Sequence, residues 1–325
     1  MEPLEVVLYT RSSDIPDMEC HSYFHSKMYF ELCENTLRMK PYMAVVQTPD
    51  KTVVAHMVAV VRYRTSWLPP YLYRHCRVLG DGDYADSQYK REDLLNMMLK
   101  ALSATAFCRS LYTEFSNLSQ KMFGYKQFRS YRFFPVKWMS IHNSLHSKAP
   151  EKRLNKKMLD RIEKANQRGV VTNPVRTDKD FNDFFRLLRR HNILKPKRYI
   201  PDNSFFINLQ KSGHGQLFIT RYKDYVVGCS ACAFSGGNAY LWYTAFLRKS
   251  FAAVHPDIMT IWGAIQYAYR HGYEHIVFMD VGLPFKKNPF REFILKFGGK
   301  PVSTYRWFFC SLRWLNRLLS WVYRE

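Results

Sequence analysis

Asp280 follows the short apolar run His275–Met279 and stands two residues before Gly282. A carboxylate there can take a proton from an amine, or it can cap the Val281-Gly282 turn. Two phenols, Tyr240 and Tyr243, lie on the β-rich run Ala239–Ala245, where strand alternation puts them on opposite faces and one of them toward a cleft. Either phenol can act as an acid, and core packing is the plainer use of at least one. Lys286, Lys287 and Lys296 gather after Asp280 and could hold a phosphate or remain solvated. Arg248 and Lys249 precede a helical stretch, and Arg198, in LKPKRYIPD, could fork onto a carboxylate or phosphate. His255 before Pro256 is a base by type and a surface loop residue by context. The candidate site is therefore Asp280 and Tyr243 for proton transfer, with Tyr240, Lys286, Arg198 and Arg248 for substrate binding. Cys229 and Cys232 are spaced C-x-x-C, but they sit inside an apolar β-rich run and none of the seven Cys has zinc-type spacing with His, so no metal site is expected. No Cys-His or Ser-His-Asp arrangement has motif support.

The second half of the chain supplies the frame for these residues. Thr177 and Asp180 form a capping box ahead of Phe181, Phe184, Phe185 and Leu188, which recur at helical spacing. Gln216–Tyr222 and Tyr225–Phe234 read as strands joined by a turn at Lys223-Asp224, and Gly236-Gly237 leads into Ala239–Ala245. Asp257 is placed to cap a helix whose apolar face is Ile258, Ile261, Trp262, Ile265 and Tyr269, with Gly272 at its end. His275–Met279 is a short buried strand, a helix lies near Phe290–Lys296, and a last strand runs from Val302 to Phe309.

The first half repeats this order. A helical segment spans about Tyr23–Met39. A hairpin joins Tyr42–Gln47 to Thr52–Val61. A helix covers Arg91–Phe107, a strand Leu111–Phe115, a short helix ends at Gly124, and a strand starts near Phe128. Two copies in register argue for duplicated α/β (α+β) domains, each a mixed, largely antiparallel sheet flanked by helices. The boundaries read 1–147, a basic connecting helix 148–169, 170–306, and an amphipathic segment 307–325. The connecting stretch Lys148–Arg168 carries eight basic residues against three acidic ones, with Leu154, Met158, Ile162 and Ala165 as a thin apolar stripe. Its basic face is either solvated or a track for phosphates.

The balance of 49 Lys+Arg against 27 Asp+Glu gives a net charge of +22, a field that draws polyanions such as tRNA or an anionic membrane face. Aromatic residues at 16% and only 14 Gly exclude disordered and collagen-like classes. The acidic N-terminus has no apolar signal core, and no run is long enough to span a bilayer. Cytoplasmic residence is expected, with a peripheral place at the inner membrane face as the further option. That option rests on RWFFCSLRWLNRLLSWVYRE. On a helical wheel Arg313, Asn316, Arg317, Ser320 and Arg324 share one face, and Leu and Trp residues fill the rest. Such a helix lies in a membrane interface or docks its apolar face on the protein's own core.

The element order is that of the GNAT acyltransferase fold. The stretches GCSACAFSGGNAYLWYTAF, HPDIMTIWGAIQYAYRHGYEHIVFMDVG and FREFILKFGGKPV resemble the Fem peptidyltransferase-like branch of that superfamily. The likeness covers residues 178–305 well and 22–170 through architecture. It implies transfer of an acyl or aminoacyl group to an amine on a cell-envelope, lipid or nucleotide-sugar acceptor, at the point where two parallel strands splay. Candidate donors are acyl-CoA, acyl-carrier protein and aminoacyl-tRNA, with no tightly bound cofactor. The resemblance has two departures. RKSFAAVHPDI carries no Gly where CoA-using members have a Gly-rich loop, and Ile294 follows Phe293 where Fem-like enzymes often have Lys. A non-catalytic RNA- or membrane-binding module on a degenerate transferase fold is the rival class.

Overall fold

The computed structural model describes residues 3–65, 69, 71–85, 88–116, 123–193, 199–279, 281–284 and 286–323. In chain order the elements are β1 (Glu5–Tyr9), α1 (Lys27–Glu34), β2 (Met39–Gln47), β3 (Val53–Thr65), β4 (Leu72–Leu79), β5 (Asp83–Tyr84), α2 (Arg91–Leu102), β6 (Tyr112–Ser116), α3 (Tyr125–Ser130) and β7 (Phe134–Ser144). There follow α4 (Lys156–Gln167), β8 (Val170–Pro174), α5 (Asp178–Asn192), α6 (Asn203–Lys211), β9 (Gly215–Tyr222), β10 (Tyr225–Ser235), β11 (Asn238–Phe246), α7 (Pro256–Arg270), β12 (His275–Phe278), α8 (Pro289–Leu295), β13 (Lys300–Cys310) and α9 (Arg313–Val322). The chain forms two compact units, one of residues 1–138 with 303–325 and one of residues 139–302.

In the first unit the strands run β1-β2-β3-β4-β6-β13, and in the second β8-β9-β10-β11-β12-β7. The order is the same in both. Three antiparallel steps are followed by one parallel step, β4 to β6 or β11 to β12, and then by a last antiparallel strand. That last strand comes from the other half of the sequence. Arg306–Cys310 pairs with β6, and Ile141–Ser144 pairs with β12. The divisions expected at 147 and 306 fall instead at 138/139 and 302/303, because each half gives its final strand to the other sheet. The basic helix α4 is part of the second unit, where Met158, Ile162 and Ala165 join the core.

Each sheet buries one face under a helix. In the first unit Leu94, Leu95, Met98, Leu99 and Leu102 of α2 pack over β1, β2 and β3 and share one core with Val78, Phe115 and Trp307. In the second, Ile258, Ile261, Trp262 and Ile265 of α7 cover Cys232, Leu241 and Ile276. Each such side chain contributes roughly 1.5–3 kcal/mol by leaving water. The approach of α7 is set by two glycines. A Cβ on Gly228 would stand 1.9 Å from Thr260 Oγ1, and one on Gly263 would stand 2.4 Å from Thr172 Cγ2. Between them the hydroxyls of Thr172, Thr220 and Thr260 form a chain with 2.9 Å steps, and Thr260 donates onward to the Pro256 carbonyl.

The Thr177–Asp180 capping box forms with both reciprocal hydrogen bonds, and Lys223 makes the expected turn at φ 52°. Strands β1, β4, β5 and β8 and helix α6 carried no expectation. The strand expected near Phe128 starts instead at Phe134, and Phe128 lies in α3. Gly124 does not end a helix: at φ 69° it starts α3 as its N-cap. Asp257 does not cap α7, because His255 takes the N-cap position at φ 48° with Pro256 as the first helical residue. In the C-terminal helix, Asn316 is the buried residue.

Candidate active site

The parallel pairing of β11 with β12 covers only four residues, from Asn238 opposite His275 to Leu241 opposite Phe278. Beyond it, among the described residues, β11 continues to Phe246 against β10 alone. The edge of β11 that faced β12 therefore leaves the ladder at Trp242. The same point carries a β-bulge: Ala231 pairs with Tyr243 and Cys232 with Leu241, so Trp242 has no opposite residue. A bulge bends its strand and sharpens the local twist, and the pairing of β11 with β12 ends beside it. A strand edge of this kind presents backbone N–H groups to a bound acyl oxygen without a dedicated side chain.

The bulge also overturns the expected alternation of the two tyrosines. Tyr240 pairs with Ala233 and Tyr243 with Ala231, two residues apart on β10, so both phenols project from the same face of β11. That face meets α6. Tyr243 packs edge-on against Phe206 at 5.1 Å, and Trp242 against Phe205 at 5.4 Å. Burial pushes the Tyr240 phenol up to about 12, with Asn238 pulling the other way, so it stays protonated as a donor.

Asp280 and Arg198 lie outside the described residues. The loop that leads from β12 to α8 is pinned from α8. Asn288 caps α8 through the N–H groups of Phe290 and Arg291 and donates its amide to Val281 O at 2.9 Å. Arg291 donates to the carbonyls of Leu283 at 2.7 Å and Lys286 at 2.9 Å. Gly282, at φ 86°, leaves room for the Asn288 amide, which a Cβ would meet at 2.5 Å. From β7, Met139 N–H donates to Gly282 O at 3.2 Å. Lys286 is exposed at the end of this braced loop.

Arg248 lies beyond the far end of β11, where its Nε stands 3.3 Å from the buried Asp257 carboxylate. The first turn of α7 thus contains a proline without an N–H and an acidic side chain already paired. Such a helix start is poorly suited to a pyrophosphate, which needs bare N–H groups and a positive field. The wide cavity of the second unit, about 1080 Å³, lies between α4, β8 and α7, and none of the residues around the β11–β12 splay lines it.

Two polar clusters in the first unit escaped the sequence reading, because their members are far apart in the chain. Glu114 on β6 is buried and accepts from Arg306 at 2.7 Å and from Ser116 at 2.9 Å, with His75 at 3.4 Å and Arg77 at 3.9 Å. Burial pushes its carboxyl up, but Arg77 and Arg306 outweigh that and hold it well below the usual range. Arg306 also lies over the Trp138 ring at 4.0 Å. In the other cluster, the ligand-type atoms of Cys20, His56 and Asp83 lie within 4.8 Å of one another. Burial and the Asp83 charge push the Cys20 thiol up to about 12, and its Sγ lies 3.0 Å from His56 Nε2. Asp83 accepts the backbone N–H groups of His21 and Ser22 at 2.7 and 2.8 Å. These contacts close a hydrogen-bonded knot.

Comparison with known proteins bears on the domain and the fold. Residues 152–287 match the family model of the acetyltransferase (GNAT) domain. No curated protein matches the chain by sequence. Among solved structures, FemX superposes with a TM-score of 0.65 at 12% identity, covering 97% of this chain and 100% of that one. A tandem GNAT protein from the clavulanic acid biosynthesis pathway gives 0.57 at 11% identity, covering 95% and 99%. L-PGS from Bacillus licheniformis gives 0.54 at 12% identity, covering 86% and 88%. Residues 152–287 are therefore a GNAT domain, and the doubled architecture of the chain is the fold shared with FemX and the tandem GNAT protein.

Proposed function

We propose that the second unit forms an amide by moving an acyl or aminoacyl group from an activated ester or thioester to an amine. The observation that carries this reading is the splay of β11 from β12 at the Trp242 bulge, inside the matched GNAT domain. The amine nitrogen attacks the carbonyl carbon, the oxyanion rests against β11 backbone N–H groups, and the C–O or C–S bond breaks. Asp280 takes the proton from the amine, and Tyr243 supplies one to the leaving group. Tyr240 and Lys286 hold substrate, with Lys286 on the braced loop. Arg198 is retained as a substrate residue on its sequence context alone.

The start of α7 disfavours free CoA, so the proposed donor is a group on a macromolecular carrier: acyl-carrier protein or aminoacyl-tRNA. Both are acidic, and a net charge of +22 favours their encounter. The acceptor is an amine-bearing lipid, cell-envelope or nucleotide-sugar compound. The test is mass spectrometry of amide products across acetyl-CoA, acyl-carrier protein and aminoacyl-tRNA donors. An amide that depends on a carrier-borne donor and is lost in Asp280→Asn supports the proposal. Donors that bind while none yields an amide would move the chain to the non-catalytic class.

A further inference from the structure

The C-terminal helix α9 docks on the first unit by an unexpected face. Asn316 is its buried residue: Oδ1 accepts the Cys310 N–H at 2.8 Å, and Nδ2 donates to the Arg132 carbonyl at 3.0 Å. Leu315 and Leu319 flank it half-buried, and Tyr323 stacks on Phe134 at 6.2 Å. This polar anchor turns the larger apolar residues outward. Trp314 is 67% exposed, Leu318 48%, Trp321 69% and Val322 56%. Positions 314, 318, 321 and 322 lie together on a helical wheel, so they form one strip. A strip holding two exposed tryptophans is costly in water and carries no packing role in the fold.

Beside the strip lies a pocket of about 720 Å³ whose lining includes Arg129, Arg132, Arg313 and Arg317 and no acidic residue. Trp321 lines it too, so the basic pocket opens onto the apolar strip. Arg129 donates to the Phe133 carbonyl at 3.2 Å and to Ser320 at 3.5 Å, both neutral groups, and pairs with no carboxylate among the described residues. An apolar strip bearing Trp, bordered by a cluster of arginines, matches a bilayer interface, where indole rings sit at headgroup depth and arginines meet lipid phosphates. No helix among the described residues is long and apolar enough to cross a membrane, so this would be surface attachment.

We propose that α9 and the arginine pocket at its base are a docking surface for a bilayer rich in anionic phospholipid. Trp314, Leu318, Trp321 and Val322 enter the interface, and Arg129, Arg132, Arg313 and Arg317 bind headgroup phosphates. The surface lies in the first unit and does not depend on the chemistry of the second.

The test is flotation of the full chain with vesicles of phosphatidylcholine alone and of phosphatidylcholine and phosphatidylglycerol in equal parts, at low and high salt. Wild-type protein is expected to float with the anionic vesicles at low salt and to release as salt screens the arginines. Arg313→Ala with Arg317→Ala should weaken binding about fivefold per arginine and flatten the salt dependence. Trp314→Ala with Trp321→Ala should weaken it by about tenfold or more. Because all four residues are exposed, the variants should melt like wild type; if one does not, indole quenching by brominated phospholipid in wild-type protein replaces it. The proposal is overturned if wild-type protein stays with the soluble fraction at low salt. It is equally overturned if both double variants float as well as wild type, if the indoles escape quenching, or if an RNA oligomer is bound and the vesicles are not.

Discussion

Tyr240 and Tyr243, three residues apart, face the same side of β11 because Trp242 bulges between the partners Ala233 and Ala231. On a regular strand one of them would have looked toward α7. The bulge puts both on the α6 side, and the pairing with β12 ends beside it.

Tyr243→Phe keeps the ring contact with Phe206 and should cost about 1 kcal/mol or less of stability. If the phenol serves the leaving group, kcat should fall by about 10²-fold or more. Thermal melting and steady-state kinetics on the same sample separate the two effects. An unchanged kcat would remove Tyr243 from the chemistry.

Gly228→Ala should destabilise the second unit by roughly 1–3 kcal/mol, since the new methyl meets Thr260 Oγ1. Thr260→Ala removes that atom, so the double variant should recover part of the loss. A double-mutant cycle from denaturant melts reads the coupling. Strictly additive losses would mean that the approach of α7 is not set at this pair.

Glu114→Ala leaves Arg306 and Arg77 without their shared carboxylate in a buried layer. The expected cost is about 3–5 kcal/mol, the scale for breaking a buried ion pair on one side. A loss within the range of surface substitutions would show that water reaches this layer.

Burial lowers three histidines of the first unit, His25 to about 3, His56 to about 4 and His75 to about 4. Their folded values lie below the unfolded value of about 6.5. The neutral rings therefore favour the fold above that pH, and stability should fall as pH drops from about 6.5 toward 4. Glu114, also depressed when folded, adds a loss below its unfolded value near 4.3. Melting temperature against pH should show a decline that begins near neutrality. A flat profile down to pH 5 would contradict the buried neutral histidines.

The fold was legible where local chemistry was sufficient. The Thr177 capping box, the Lys223 turn and the apolar face of α7 each declare themselves within a few residues. Strand β4 was not legible: LYRHCRVL interleaves His75 and Arg77 with apolar residues, and the buried His75 and half-buried Arg77 both meet Glu114 of β6. The exchange of final strands leaves no local mark, since Ile141–Ser144 and Arg306–Cys310 look alike as strands wherever they pair. The Trp242 bulge is likewise invisible, being a mismatch in register between two ordinary strands. For the same reason Cys20, His56 and Asp83 showed no motif: their spacing in the chain is set by the hairpins between them. The exposure of Trp314 and Trp321 turned on Asn316, which a helical wheel counts as one more polar residue on the outer face.

The most direct test is product analysis by mass spectrometry with acyl-carrier protein and aminoacyl-tRNA donors, run beside saturating free CoA esters. A new amide from a carrier-borne donor, absent in Asp280→Asn and unsupported by free CoA esters, is the expected result. A productive free CoA ester would contradict the part of the proposal that rests on Pro256 and Asp257 at the start of α7. No amide from any donor, with protein intact by melting, would contradict transfer at the β11–β12 splay itself.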